Sequence, residues 1–91
     1  MTNNEAEYAT LIAGLEQLAR RLEAEQVPAS GVRLEVRGDS QLVLAQLGGE
    51  WKVRNARLKI LWTRARHLLA GYASVNYVRI PRWRVVRVLG H

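Results

Sequence analysis

Two carboxylates in this sequence occupy positions from which a folded chain can do metal chemistry. Asp39 lies where a predicted strand ends and a predicted helix begins, and Glu7 lies in the first turn of the helix before that strand. If this helix packs on the sheet, the two carboxylates converge and can bind a divalent ion such as Mg2+ or Mn2+ through oxygen ligands and water. The alternative stays open that Glu7 complements the helix dipole and that Asp39 caps the next helix.

The strand before Asp39 is predicted from a period of two in its side chains. Apolar and charged residues alternate over residues 32–37, which is typical of a strand with one face on a core. Gly38 breaks the pattern, and Asp39 and Ser40 supply side-chain oxygens suited to capping a short helix over residues 40–47. Because ligands of open α/β sheets bind at the carboxyl edge of the strands, Asp39 is the first candidate for a functional residue.

The remaining elements follow from apolar stripes at helical spacing and from a second short alternating run. These patterns predict a long helix over residues 3–26, a second long helix over residues 56–70 and a second strand over residues 75–80. A polar loop over residues 50–55 joins the two later helices. The order helix–strand–helix–helix–strand predicts an α/β fold with two parallel strands, because a crossover of this length joins parallel neighbours.

Composition places the chain among small basic globular domains. Its 91 residues carry 14 Lys+Arg against 8 Asp+Glu, a net charge of +6. The charge favours polyanions such as nucleic acid as partners, although an arginine-rich solvated surface explains the same count. No cysteine is present, which excludes disulfides and thiolate metal sites. No apolar run is long enough to cross a membrane and no signal peptide precedes the polar start, so we expect a cytoplasmic protein without a membrane partner.

Three motifs in this order resemble ribonuclease H type 1, and most closely its compact bacterial and archaeal branch. They are Thr2-Asn3-Asn4-Glu5-Ala6-Glu7-Tyr8 before an amphipathic helix, Gly38-Asp39-Ser40-Gln41, and Gly49-Glu50-Trp51-Lys52-Val53-Arg54-Asn55 with Arg57-Leu58. The resemblance extends from about Thr2 to Arg82, and we interpret residues 1–82 as a partial RNase H-like domain. A divergent C-terminal tail over residues 83–91 follows it.

The resemblance implies action on RNA–DNA hybrids with Mg2+ or Mn2+. The family hydrolyses the RNA strand of such hybrids with two metal ions held by an Asp-Glu-Asp-Asp tetrad. By resemblance, Glu7 and Asp39 are catalytic residues and metal ligands of that tetrad. The residues that the resemblance assigns to nucleic-acid binding are Asn3, Asn4, Ser40, Gln41, Lys52, Arg54 and Asn55. Trp51 lies in the same loop as Lys52, but an anchor packed on the core is an equally good interpretation of it.

Two departures from the family pattern bear on activity. The chain begins after the family's first three strands, so the first Asp of the tetrad is lacking, and no Asp follows Arg82. With two of four ligands, we expect weak metal binding and a nuclease domain that is incomplete or inactive as this chain alone. The alternative function is a non-catalytic basic module that binds nucleic acid or self-associates on a degenerate RNase H scaffold. A shifted reading frame or a gene fragment is a third interpretation.

The lacking strands also predict an assembly. The strand over residues 32–37 is left with an unpaired edge, which is a template for pairing with another chain. We therefore expect a homo-oligomer through this open sheet edge. The Val- and Arg-rich tail over residues 83–89 is an alternative source of the missing strand.

Overall fold

The fold is described for residues 3–80 by a computed structural model. Within this range the elements are α1 Asn3–Ala24, β1 Arg33–Gly38, α2 Gln41–Leu47, α3 Ala56–Leu69 and β2 Ser74–Arg79, with a 3₁₀ turn at Ala29–Gly31 before β1. The predicted order of elements and the α/β class are confirmed, with boundaries shifted by one or two residues. The predicted tail over residues 83–91 and the last residues of the predicted domain lie outside the described range.

The two strands pair in parallel, as the length of the crossover predicts. Val36 of β1 stands opposite Tyr77 of β2 in the register. Leu34 and Val36 pack against the core while the charged residues between them are exposed, and Val75 and Tyr77 of β2 are half-buried in the same alternation. One face of the sheet therefore packs on the helices, and the other face carries polar and charged side chains.

The helices form a layer on the inner face of the sheet, and α1 packs along α3. Tyr8 and Leu47 are the largest fully buried side chains. Burial of side chains of this size contributes roughly 1.5–3 kcal/mol each to folding. The buried apolar cluster consists of Tyr8, Leu15, Val36, Val43, Leu44, Leu47, Leu58, Ala65 and Leu69. At the helix surface, Arg64 Nη2 of α3 donates to Glu16 Oε2 of α1 at 2.7 Å.

Side chains at two helix starts determine how the chain enters α2 and α3. Ser40 Oγ accepts a hydrogen bond from the Val43 N–H at 3.3 Å and is the N-cap of α2, so the alternative that Asp39 is this cap is wrong. Asn55 Oδ1 accepts from two backbone N–H groups in the first turn of α3, at 2.9 and 3.1 Å. Between the two helices the chain turns sharply at Gly49, whose φ of 84° favours glycine.

Within the described range, β1 has a strand neighbour on one side only. At the two ends of the ladder, the Val32 C=O accepts from the Ala73 N–H at 3.0 Å and the Gly38 C=O accepts from the Ile80 N–H at 2.8 Å. Because the backbone groups of a strand alternate in direction from residue to residue, the even-numbered residues of β1 face β2. The backbone groups of its odd-numbered residues therefore lie along the opposite edge, which no described strand covers.

Candidate functional site

A buried hydrogen bond fixes the first turns of α1 on α2. The Tyr8 hydroxyl donates to Gln46 Oε1 at 2.7 Å, with 0% of Tyr8 and 5% of Gln46 exposed to solvent. Burial of the hydroxyl disfavours its charged form and raises the pKa of Tyr8 to about 12. Since Glu7 precedes Tyr8 in the same helical turn, this bond also determines where Glu7 lies.

A second contact joins the start of α1 to the start of α2. Ser40 Oγ, the N-cap of α2, donates to Asn4 Oδ1 at 3.5 Å, a long and correspondingly weak hydrogen bond. The structure thus brings together Asn4 and Ser40, two residues assigned to nucleic-acid binding by resemblance, although 36 positions separate them in the sequence. Asn3 is exposed at the beginning of the same helix.

Glu7 lies beside the segment that carries Asp39. Glu7 lines a small cleft, of about 30 Å³, together with Gly38 and Ser40, which are the neighbours of Asp39 on either side. Both carboxylate residues are half-buried. The cleft has room for about one water molecule or one small ion. The expected approach of α1 to the carboxyl end of β1 is therefore present in the fold.

Glu7 is the carboxylate among the residues that line this cleft, and the lining also includes Arg37 and the apolar residues Leu11, Val36, Val43 and Leu44. Among residues 3–80 no group of three or more Asp, Glu, His or Cys side chains is placed to hold a metal ion. Mg2+ is commonly bound through one or two carboxylates while it keeps several waters, so one ion is the most that Glu7 and Asp39 could hold together. A two-metal centre needs further carboxylates, which the described residues do not supply.

A wider groove lies between α2 and the carboxyl end of β2. It has a volume of about 350 Å³, and Gln41, Glu50, Tyr77 and Arg79 are among its lining residues. Burial raises the pKa of Tyr77, and the neighbouring Arg66 guanidinium partly opposes this rise. Gln41, the first residue of α2, is exposed here, on the edge where open α/β sheets bind ligands.

The loop between α2 and α3 carries the remaining predicted residues and places them on a different groove. Lys52 and Arg54 are exposed and line this second groove, which also includes Lys59 and Trp62 of α3. Trp51 is 46% exposed, so the interpretation of Trp51 as an anchor packed on the core is wrong. Lys59 lies one turn after the start of α3 and within reach of the loop, but no motif in the sequence marks it as a functional residue.

Asn55, which the resemblance assigns to nucleic-acid binding, has an observed structural role. Its side-chain oxygen accepts two backbone hydrogen bonds and so defines the start of α3. Asn55 is exposed, so its amide group is also accessible from solvent. The described helices include none that is long and apolar enough to cross a membrane.

Comparison with known proteins relates the chain to ribonuclease H. No protein-family model matches it. It is 41% identical over 81 residues to Ribonuclease HI of Halobacterium salinarum, and this alignment covers 89% of this chain and 37% of that protein. It is 37% identical over 83 residues to a bifunctional protein of Mycobacterium tuberculosis, covering 91% of this chain and 21% of that protein. The chain thus spans between about one fifth and two fifths of the length of these relatives.

Solved structures give the same relation. The N-terminal RNase H domain of the Mycobacterium tuberculosis protein, solved as a fusion with maltose-binding protein, matches with a TM-score of 0.78 and 35% identity over 93% of this chain and 59% of that one. LC11-RNase H1 in complex with an RNA/DNA hybrid matches with a TM-score of 0.80 and 32% identity over 96% of this chain and 61% of that one. The shared fold extends over nearly the whole chain and about three fifths of each of these structures.

Proposed function

We propose that this chain, a ribonuclease H-like type 1 domain by its similarity in sequence and fold, acts on the RNA strand of RNA–DNA hybrids by metal-dependent phosphodiester cleavage. The observation that carries this proposal is the cleft shared by Glu7 and the two neighbours of Asp39. The proposal is supported by LC11-RNase H1, a structural neighbour that was solved with an RNA/DNA hybrid.

In this proposal Glu7 and Asp39 are the metal ligands. When bound, Mg2+ or Mn2+ supplies charge that polarises a phosphoryl oxygen and lowers the pKa of bound water. The two half-buried carboxylates hold the ion at the carboxyl edge of the sheet, next to the open groove of Gln41. The Tyr8–Gln46 hydrogen bond orients the helix turn of Glu7, so Tyr8 is a positioning residue.

The polar and basic residues around these carboxylates bind the nucleic acid. We assign Asn3, Asn4, Ser40 and Gln41 to the minor groove of the hybrid, where the RNA hydroxyls are presented. Asn4 and Ser40 are already in contact at the cleft, which supports a common surface for these residues. The residues assigned to backbone phosphates are Lys52, Arg54 and Asn55.

We expect the chain alone to be a poor nuclease. In-line hydrolysis with two ions needs ligands for both, and residues 3–80 hold no group of three or more Asp, Glu, His or Cys side chains placed for a metal ion. The basic charge of +6 supports the alternative function, a non-catalytic module that binds nucleic acid. The cytoplasmic location expected from the sequence stays a prediction.

An RNA–DNA hybrid with a labelled RNA strand separates the two functions. We expect the hybrid to bind more tightly in Mg2+ than in EDTA, and we expect any RNA cleavage in Mg2+ or Mn2+ to be slow. Asp39→Asn and Glu7→Gln should both abolish the cleavage and the effect of Mg2+ on affinity. Hybrid binding that is unaffected by metal and by both substitutions, with no cleavage, would instead support the non-catalytic module.

We also propose that two copies of the chain associate through the open edge of β1. The backbone groups of Glu35 and its odd-numbered neighbours face that edge, as the ladder to β2 requires. Glu35→Pro removes one N–H from the open edge and leaves the ladder to β2 intact, whereas Glu35→Ala removes the side chain and keeps the N–H. Light scattering should give a dimer for the wild type and Glu35→Ala, and a folded monomer for Glu35→Pro. A monomeric wild type at micromolar concentration would refute the proposal.

A further inference from the structure

The groove between the α2–α3 loop and α3 combines aromatic and cationic side chains. Its volume of about 330 Å³ lies within the range of small-ligand sites. Its lining contains three cations, two tryptophans and no carboxylate. The lining residues are Gln46, Gly49, Trp51, Lys52, Val53, Arg54, Lys59 and Trp62. Such a surface attracts a ligand that is both anionic and planar.

The loop presents the backbone of Trp51 in a fixed position. The backbone N–H groups of Glu50 and Trp51 both donate to the Ala45 C=O at the end of α2, at 2.9 and 3.2 Å. At the other end of the loop, the Asn55 cap binds the first turn of α3. A backbone segment held at both ends loses little conformational entropy when a ligand binds, so the loop backbone that carries Trp51 is preorganised.

The two tryptophans of the groove differ in what they offer a ligand. The Trp62 indole N–H donates to the Gln46 C=O at 3.0 Å, and the guanidinium of Arg66 lies 5.7 Å from the centre of its ring. Trp62 is thereby held as a half-buried wall of the groove. Trp51 is 46% exposed, and its flat apolar surface is available for stacking with a planar group.

Three cations line the same groove as this exposed ring. Lys52 and Arg54 follow Trp51 in the loop, and Lys59 belongs to α3. All three residues are exposed. Glu50, the nearest carboxylate in the sequence, lines the other groove, between α2 and the carboxyl end of β2. A chain of phosphates can therefore pass along the cations while a group attached to it reaches Trp51.

We infer that this groove binds an unpaired nucleotide of single-stranded nucleic acid, with its base stacked on Trp51 and its phosphates beside Lys52, Arg54 and Lys59. In a duplex both faces of a base are covered by its neighbours, so only a single strand or a frayed end can offer a base to the ring. The inference rests in part on the proposed function, which already assigns Lys52 and Arg54 to phosphates, and it adds Lys59, Trp51 and an unpaired base whose binding needs no metal ion. An acidic protein segment shares the charge of the ligand but not its planar base.

Fluorescence anisotropy of a labelled single-stranded DNA oligonucleotide in EDTA tests this inference. Stacking of one base predicts that Trp51→Ala weakens binding about 5- to 100-fold. Ile60→Ala is a matched control, since Ile60 is a 71% exposed apolar residue of α3 outside the groove. Ile60→Ala should bind like the wild type. Because EDTA removes divalent ions, binding in this assay does not depend on the proposed metal site.

Three further measurements identify what is recognised. An abasic oligonucleotide of equal length should bind the wild type and Trp51→Ala equally. Lys59→Gln should weaken binding of both oligonucleotides. It should also reduce the slope of the logarithm of affinity against the logarithm of salt concentration by the amount that about one phosphate contact contributes. Polyglutamate should compete poorly. Equal affinity of Trp51→Ala and the wild type for the base-containing strand, or competition by polyglutamate as strong as that by DNA, would overturn the inference.

Discussion

Tyr8→Phe is the substitution that most sharply probes how the fold positions the proposed metal site. The change removes one oxygen atom and keeps the aromatic ring that fills the core. The hydroxyl makes a 2.7 Å hydrogen bond to Gln46, and both residues are buried. A buried amide oxygen that loses its partner costs about 1–3 kcal/mol, so we expect the free energy of unfolding to fall by this amount. For a domain of this size, 1 kcal/mol corresponds to about 4–8 °C in Tm.

Urea unfolding followed by circular dichroism gives this free energy, and a double-mutant cycle isolates the hydrogen bond. Gln46→Leu removes the partner with little change in size, so Tyr8→Phe should cost much less in a Gln46→Leu background. The reasoning is refuted if the effects of the two substitutions add, because Tyr8 and Gln46 would then not be coupled. It is equally refuted if Tyr8→Phe costs less than about 0.5 kcal/mol.

The same residue predicts a loss of stability at high pH. The pKa of Tyr8 is about 12 in the folded chain and about 10 in the unfolded one, so the folded chain holds the proton more tightly. This difference in pKa contributes about 2–3 kcal/mol to the free energy of unfolding. The contribution is fully present below pH 10 and is lost as the pH rises toward 12. Urea unfolding measures the free energy of unfolding at pH 9 and at pH 11.5. Between these two pH values that free energy should decrease less in Tyr8→Phe than in the wild type. An equal decrease in both proteins would show that Tyr8 does not cause it.

The remaining predictions concern helix caps and a surface ion pair, and urea unfolding measures them all. Asn55→Ala removes two hydrogen bonds at the start of α3 and should cost about 0.5–2 kcal/mol, whereas an unchanged free energy would contradict the cap. Ser40→Ala should cost a similar amount, because it removes the N-cap of α2 and the contact with Asn4. Arg64→Ala should cost less than about 1 kcal/mol, since its partner Glu16 is partly exposed; a larger loss would show that the pair does more than a surface ion pair.

Local patterns were sufficient to predict the elements of this fold. The alternation in β1 depends on one face meeting a core, and the apolar stripes of α1 and α3 depend on one side of each helix meeting its neighbour. These are properties of consecutive residues. The parallel pairing of the strands followed from the length of the crossover between them.

Long-range contacts were beyond the reach of these patterns. The Tyr8–Gln46 hydrogen bond joins residues 38 positions apart, and no periodicity indicates which buried polar groups will meet. The groove that contains Trp51 and Lys59 depends on how the α2–α3 loop packs beside α3. A pattern of consecutive residues does not predict this packing either. Ser40 and Asp39 both have side chains that can cap a helix, and only the backbone geometry selects Ser40.

Binding of Mn2+, followed through the line broadening that it causes in the amide NMR spectrum, is the direct test of a metal site shared by Glu7 and Asp39. We expect broadening concentrated on the amides around Glu7 and around Asp39. The effect should be lost in Glu7→Gln and Asp39→Asn and kept in Glu50→Gln, since Glu50 lines a different groove. Broadening that is uniform, or that is centred elsewhere and survives Asp39→Asn, would contradict a metal site shared by Glu7 and Asp39.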